Sequence, residues 1–145
     1  MKWRIYHVGK PALAFARDGV ADYSKRLRHY TSAELIVLRT GAADEIARRC
    51  GPKQAGQIRL ILDERGESLT TAAMASKVEV WQMQAIKSVD CFIGGADGHP
   101  KSLREEADLV LGLSAFTLQH ELALVVWLEQ LYRVHTVLRG EPYHR

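Results

Sequence analysis

The sequence predicts a single α/β domain built on a mainly parallel sheet of five to six strands. Its 145 residues are enough for one domain with a substantial core. Short strand-like segments alternate with segments whose apolar residues recur at helical spacing. No composition break or internal repeat divides the chain. Strands that alternate with helices in this way form parallel sheets, because each helix carries the chain back to the same edge.

The first elements follow from two periodicities. Residues 3–8 alternate in the manner of a strand and end at Gly9, which indicates a turn. Residues 12–30 carry apolar side chains at helical spacing along one stripe. Residues 34–40 form the second predicted strand.

The middle of the chain adds two helices and a strand. Residues 43–50 form a short helix that ends at Gly51 and Pro52. The third strand covers residues 57–63. Residues 64–68 are predicted as a turn, which leads into a helix that runs to about residue 86.

The carboxyl-terminal elements complete the pattern. The fourth strand, residues 89–93, ends in a glycine-rich stretch, and a short helix follows Pro100. Residues 108–114 form the fifth strand. A long helix covers residues 119–138.

This last helix carries apolar residues on more than one face. A helix at a protein surface shows a single apolar stripe, so this one is expected to be buried on several sides. We favour a dimer interface, because a terminal helix in so short a domain is rarely covered all round by its own chain. The alternative is a central core helix. The apolar residues are Leu122, Ala123, Leu124, Val125, Val126, Trp127, Leu128, Leu131, Val134, Val137 and Leu138.

Positive charge is concentrated in the first third of the chain. The net charge is +3 overall, but residues 1–50 hold ten Lys and Arg against five Asp and Glu, whereas residues 51–145 carry a net −2. Lys25, Arg26 and Arg28 contribute to the surplus. Such a cluster indicates a phosphate-rich partner, or, as the commoner alternative, a solvated helix face.

Several classes of protein are disfavoured. Cys50 and Cys91 form no CxxC pair and have no zinc-ligand spacing to a histidine, so we expect no metal and a reduced, cytoplasmic compartment. The amino terminus lacks the apolar run of a signal peptide. The longest apolar run, residues 122–128, is too short to span a membrane.

Ligands of parallel α/β sheets bind at the carboxyl ends of the strands. After the fourth strand, glycines at residues 94–98 let backbone N–H groups approach a ligand, or form a tight turn; they match no dinucleotide or nucleoside triphosphate motif. After the fifth strand, residues 113–118 mix hydroxyl and apolar groups that suit an adenine-like ring. Alternatively, this segment caps the last helix through Thr117. His120, next to it, is a structural residue or a proton acceptor.

The carboxyl-terminal tail combines three groups that suit nucleic acid. Tyr143 and His144 can stack on an unpaired base, and Arg145 can pair with phosphate. The alternative is a frayed chain end.

Together, these motifs resemble the RlmH family of ribosomal RNA large-subunit methyltransferases. The resemblance extends over the whole chain, and the order and spacing of the motifs carry it. The matching segments are residues 8–10, 23–27, 90–98, 113–120, 129–133 and 142–145.

The resemblance implies a homodimer of SPOUT type, with a carboxyl-terminal trefoil knot. It implies transfer of a methyl group from S-adenosylmethionine to N3 of pseudouridine 1915 in 23S rRNA, within the assembled ribosome. The cofactor-binding residues that it implies are Leu62, Gly94, Gly95, Leu113, Ser114, Ala115, Phe116, Thr117 and Leu118.

Other roles follow from the chemistry of that reaction. The proton on N3 must leave, and His120 and His144 are the candidate catalytic bases. We expect Tyr143, His144 and Arg145 to complete the site at the dimer interface. Lys25, Arg26 and Arg28 are expected to contact RNA.

Three residues depart from the family pattern. Gln119 replaces a usual proline, which predicts a less rigid cofactor loop. Leu124 replaces a frequent arginine, which removes a charge that could meet RNA or the partner subunit. His99 is unusual after the glycines. The alternatives are therefore a SPOUT methyltransferase for another RNA and a ribosome-binding module without catalysis.

Overall fold

Five parallel strands in the order β2-β1-β4-β3-β5 form the centre of the computed structural model, which describes residues 1–145. The strands are β1 (Lys2–Val8), β2 (Ser32–Leu38), β3 (Gln57–Ser68), β4 (Ser88–Ile93) and β5 (Leu109–Gly112). The helices are α1 (Ala14–Leu27), α2 (Ala43–Cys50), α3 (Thr71–Met83), α4 (Lys101–Glu105) and α5 (His120–Leu138). The predicted fold class is confirmed.

Helices cover both faces of the sheet, because the central strands are apolar on both sides. Trp3 and Ile5 of β1 belong to the larger core, which contains residues of α1, α3 and α5. Tyr6 belongs to a smaller core with Ile46 of α2 and Leu103 of α4.

The long helix α5 is covered by its own chain. It packs against α1 and α3, and Leu124, Trp127 and Leu131 are almost completely buried. The approach to α1 is close, because a Cβ at Gly19 would lie 2.8 Å from Cγ1 of Val125. Packing within the chain therefore accounts for the buried face of α5, as in the core-helix alternative, while the dimer interface stays a prediction because Leu122 is 38% exposed.

The predicted turn at residues 64–68 is wrong. Strand β3 continues to Ser68, and its pairing with β5 shifts so that Leu62 and Glu67 both face Leu111. Gly66 permits this arrangement, because a Cβ there would lie 2.6 Å from the backbone carbonyl carbon of Leu111. A bulged strand of this kind has no periodicity that would reveal it in the sequence.

Several predicted boundaries were also too wide. Helix α1 occupies 14 residues of the predicted 12–30. Helix α3 ends at Met83 rather than near residue 86, and Ala85 beyond it has a φ of 55°. The trefoil knot stays a prediction. None of the helices is long and apolar enough to cross a bilayer, and no group of three or more His, Cys, Asp or Glu is arranged to hold a metal ion.

Candidate functional site at the carboxyl ends of the strands

A cavity of about 710 Å³ lies at the carboxyl ends of β4 and β5, beside residues 62–65 of β3. Part of β3 and the two loops that follow β4 and β5 meet there, in agreement with the rule for parallel sheets. Ala115 is the one predicted cofactor residue outside the lining. The residues predicted from the sequence that do line the cavity are Leu62, Gly94, Gly95, Leu113, Ser114, Phe116, Thr117, Leu118 and His120.

The glycine-rich turn after β4 is both tight and open to the cavity. The Gly98 N–H donates to the Gly95 carbonyl at 3.1 Å, and Gly98 has a φ of +73°. A Cβ at Gly94 would lie 3.2 Å from the His99 imidazole and 3.3 Å from the Gly98 carbonyl carbon. The tight turn is confirmed, whereas the approach of a ligand to these glycines, which line the cavity, stays a prediction.

The segment of residues 113–118 presents its backbone rather than side-chain charges. None of its N–H or carbonyl groups takes part in a backbone hydrogen bond, and only the Phe116 N–H has a side-chain acceptor, Ser114 Oγ at 3.0 Å. The Phe116 side chain is 83% exposed beside the cavity. Backbone donors and acceptors next to an apolar ring are suited to the edge and face of a heterocycle.

Gln119, and not Thr117, caps helix α5. Its Oε1 accepts the Glu121 N–H at 2.8 Å and the Leu122 N–H at 3.0 Å. The Thr117 hydroxyl instead donates to the Glu64 carboxylate. The prediction of a Thr117 cap was wrong, and Gln119 fastens the end of the loop to the helix.

A charged rim at the cavity was missed by sequence reasoning. Arg65 hydrogen-bonds Asp63 through Nε and Nη2, each at 3.0 Å, and these bonds lower the pKa of Asp63 to about 2. Arg104 lies 3.5 Å from the same carboxylate. The sequence contained a signal for this rim, because Asp63 and Arg65 follow the apolar part of the third strand.

His99 connects two walls of the cavity. Its Nε2 lies 2.8 Å from the Leu62 carbonyl oxygen, which links the turn after β4 to β3. Burial lowers the pKa of His99, so the ring is neutral at pH 7 and donates this bond. This unusual residue therefore supports the shape of the cavity.

The carboxyl-terminal tail folds back on α5. The Tyr143 hydroxyl donates to Glu129 at 3.1 Å, its ring lies 4.7 Å from that of Tyr132, and the Arg133 guanidinium lies 4.5 Å from its centroid. Tyr143 is thus held, which argues against a frayed end. His144 and Arg145 are exposed.

The two candidate bases are far apart within one chain. His120 begins α5 and Arg133 is 13 residues further on, a distance of about 20 Å along a helix. Because the tail packs beside Arg133, His144 does not reach the cavity of its own chain.

The predicted basic group lies at the same end of the molecule as the tail. Lys25, Arg26 and Arg28 are exposed in or just after the last turn of α1. Arg26 pairs with Asp22 at 2.9 Å and lies 5.7 Å from the Tyr132 ring centroid. Leu124, by contrast, is fully buried, so its side chain supports the core and position 124 does not face RNA in this chain.

Comparison with known proteins identifies the family. The sequence model described as "Predicted SPOUT methyltransferase" matches residues 1–144. A curated relative from Thermus thermophilus, named ribosomal RNA large subunit methyltransferase H, is 47% identical over 145 residues, which cover 100% of this chain and 99% of that protein. The chain belongs to the RlmH family of SPOUT methyltransferases.

Other RlmH relatives also match over their full length. A protein of the same name from Geobacter metallireducens is 40% identical, with 99% of both chains covered. One from Deinococcus deserti is 38% identical, with both chains covered completely.

A solved structure supports the SPOUT fold. A probable methylase family protein from Haemophilus influenzae Rd KW20 aligns with a TM-score of 0.58 and 9% identity, over 99% of this chain and 70% of that one. At this identity the likeness extends to the fold alone.

Proposed function

We propose that this RlmH-family protein transfers a methyl group from S-adenosylmethionine to N3 of pseudouridine 1915 in 23S rRNA. It acts in the cytoplasm, on the assembled ribosome, as a homodimer. The observation that carries the proposal is the cavity, one wall of which is formed by residues 113–118 apart from Ala115, a segment whose backbone makes no backbone hydrogen bonds. The names of the curated relatives support an rRNA of the large subunit as the substrate.

The residues at the cavity fit the proposed cofactor. The backbone of residues 113–118 would hold the edge of the adenine, and the exposed Phe116 ring and Leu118 would contact its faces. The turn at Gly94 and Gly95 leaves room for the ribose and the amino-acid part, where a Cβ would crowd His99. S-adenosylmethionine, when bound, supplies an electrophilic methyl group on a sulfonium.

The protein's own task is alignment and removal of a proton. N3 of pseudouridine lies between two carbonyl groups and must lose its proton as the N–CH₃ bond forms. His120 lines the cavity and is the candidate acceptor within the chain. Holding N3 in line with the methyl group and the sulfur supplies much of the acceleration in such a transfer.

A second subunit would bring the tail to the site. Each chain holds Tyr143 against Glu129 and Arg133, about 14 to 20 Å from His120 along α5, so the tail that approaches the cavity is expected to be the partner's. Exposed apolar side chains beside the start of α5 offer a contact surface. They are Leu13, Phe15 and Leu122. The Glu121 carboxylate accepts the Leu13 N–H and so holds Leu13 near Leu122.

Methyl transfer from labelled S-adenosylmethionine tests this function. We expect label to enter 23S rRNA of assembled ribosomes that lack the modification, and much less label to enter free 23S rRNA. Label on a different RNA would support a SPOUT enzyme with another substrate. Failure to bind S-adenosylmethionine in calorimetry, with ribosome binding intact, would identify a binding module without catalysis.

A further inference from the structure

Two histidine rings lie face to face between the sheet and the cavity. The centroids of His7 and His120 are 5.2 Å apart, and their planes differ by 19°. His7 is on β1 and is 0% exposed, whereas His120 is the first residue of α5 and lines the cavity. The buried His7 ring thus stacks against the His120 ring, which lines the cavity.

The His7 ring is itself fixed in place. Its Nδ1 lies 2.8 Å from the Gly9 carbonyl oxygen, and its Nε2 lies 3.4 Å from the His120 carbonyl oxygen. A neutral imidazole has one N–H, and the shorter distance assigns it to Nδ1, which donates to Gly9. A positive charge on His7 beside the first turn of α5 would be unfavourable, since the amino end of a helix already has a partial positive charge.

Burial is consistent with this neutral state. Desolvation lowers the pKa of His7, and the nearby His120 lowers it further, while contacts with the Gly9 and His120 carbonyls and the charge of Glu121 only partly offset these effects. His7 therefore offers His120 a neutral aromatic face at pH 7.

The Gln119 side chain also lies against His120. The Gln119 amide nitrogen lies 3.3 Å from His120 Nδ1, while the same amide's oxygen caps α5. The stacked His7 ring contacts a face of the imidazole, and the amide contacts its edge at Nδ1.

We propose that His7 is a positioning residue, whose stacked ring holds the His120 imidazole at the edge of the cavity where the reacting base is to lie. The effect of His7 on the rate rests on the proposed function, whereas its effect on the position of the His120 ring does not. An imidazole on the first residue of a helix otherwise has several staggered rotamers open to it. A small misplacement of a reacting group can cost up to about a hundred-fold in rate.

Substitutions of His7 distinguish stacking by an aromatic ring from packing by a side chain of similar volume. His7→Phe keeps an aromatic face, whereas His7→Leu and His7→Met keep only the volume. We expect His7→Leu and His7→Met to slow single-turnover methyl transfer by about ten-fold or more, with S-adenosylmethionine affinity within about two-fold of wild type. His7→Phe should recover most of the rate. The matched control is His135→Leu, which alters a buried histidine of α5 away from the cavity and should leave the rate unchanged.

The NMR signal of the His120 ring gives a readout that needs no activity. In His7→Phe its carbon-bound protons should keep the ring-current shift of the wild type, and in His7→Leu and His7→Met they should move toward the position of a free histidine. Wild-type rates in the Leu and Met variants, a Phe variant as slow as Leu, or an unmoved His120 signal would each overturn the proposal. If the wild-type protein transfers no methyl group, the proposed function fails, and the NMR comparison still decides the role of His7.

Discussion

The Tyr143 hydroxyl donates a hydrogen bond to Glu129, 3.1 Å away, and ties the tail to the middle of helix α5. Arg133 joins the same group, because its guanidinium pairs with Glu129 at 2.6 Å and covers the Tyr143 ring. Burial, the neighbouring Tyr23 hydroxyl, and the hydrogen bond and charge of Glu129 raise the pKa of Tyr143, so the hydroxyl remains a donor at neutral pH. The tail is thus anchored on its own chain while His144 and Arg145 extend beyond it.

Deletion of Tyr143, His144 and Arg145 should abolish methyl transfer. The tail completes the site of the partner in the proposed dimer, whereas the cavity and α5 remain in place. Dimer mass in solution and most of the S-adenosylmethionine affinity should therefore persist. Tyr143→Phe, which removes only the hydroxyl, serves as the milder control, since its ring still packs on Tyr132. Unchanged turnover after the deletion would contradict this role.

Reversal of the exposed charges on α1 should weaken ribosome binding. Lys25 and Arg28 make no ion pair, whereas Arg26 is partly neutralised by Asp22. The double variant Lys25→Glu, Arg28→Glu should lower affinity and reduce the slope of log K against log salt by about 1.5, if both side chains contact phosphates.

The control for that experiment lies on the other face of the sheet. Arg48→Glu with Arg49→Glu on α2 changes the net charge by the same amount. Equal losses of affinity in the two double variants would show that net charge alone, and not a surface on α1, governs binding.

Gly66→Ala should destabilise the fold. The new Cβ would meet backbone atoms of Val110, Leu111 and Gly112 at 2.6–2.7 Å, and a backbone cannot yield as a flexible side chain does. We expect the free energy of unfolding to fall by about 1–3 kcal/mol, as for other overpacked sites. Gly41→Ala is the matched control, since its Cβ meets the nearest atom, Val8 Cγ2, at an ordinary 3.6 Å. Urea unfolding that is equal for both variants would contradict this explanation of the bulged strand.

Acid should destabilise the protein through its buried histidines. Burial, and then the Arg139 charge, lower the pKa of His135 from 6.5 to about 4. The unfolded chain binds a proton at His135 at a higher pH than the folded protein does. The free energy of unfolding is therefore greatest above pH 6.5 and falls as the pH drops toward 4. Between about pH 7 and pH 5 the loss from His135 is about 2 kcal/mol.

Urea unfolding of His135→Leu at both pH values checks this loss. The wild type should lose more stability than the variant, and the variant should retain some dependence, because burial also lowers the pKa values of His7 and His99. An identical loss in both proteins would contradict a neutral, buried His135.

The elements and the cavity edge were predictable because each depends on local pattern. Alternation in β1 and the apolar run of β4 indicated the strands, and the rule for parallel sheets pointed to Gly94 and Leu113, which line the cavity. The pairing of β3 beyond Leu62 was not predictable, because it depends on contact between Gly66 and a strand more than 40 residues away.

The other features that the sequence did not predict are contacts between segments far apart in the chain. His7 meets His120 across 113 residues of sequence, and no spacing motif indicates such a pair. The cover of α5 by α1 and α3 likewise arises from packing, so the helical wheel alone could not choose between a core and an interface. The sequence predicted only that Gln119 makes the loop less rigid. Its capping bonds depend on the residue at which α5 begins, which the sequence pattern did not fix closely enough.

Mass spectrometry of the methylated nucleotide tests the central claim most directly. Assembled ribosomes without the modification are incubated with the protein and S-adenosylmethionine, and the 23S rRNA is then digested and mapped. The proposed function predicts one new methyl group, on N3 of pseudouridine 1915, and none when the protein lacks its last three residues. A methyl group on another nucleotide, or no methyl transfer by protein that binds S-adenosylmethionine, would contradict it.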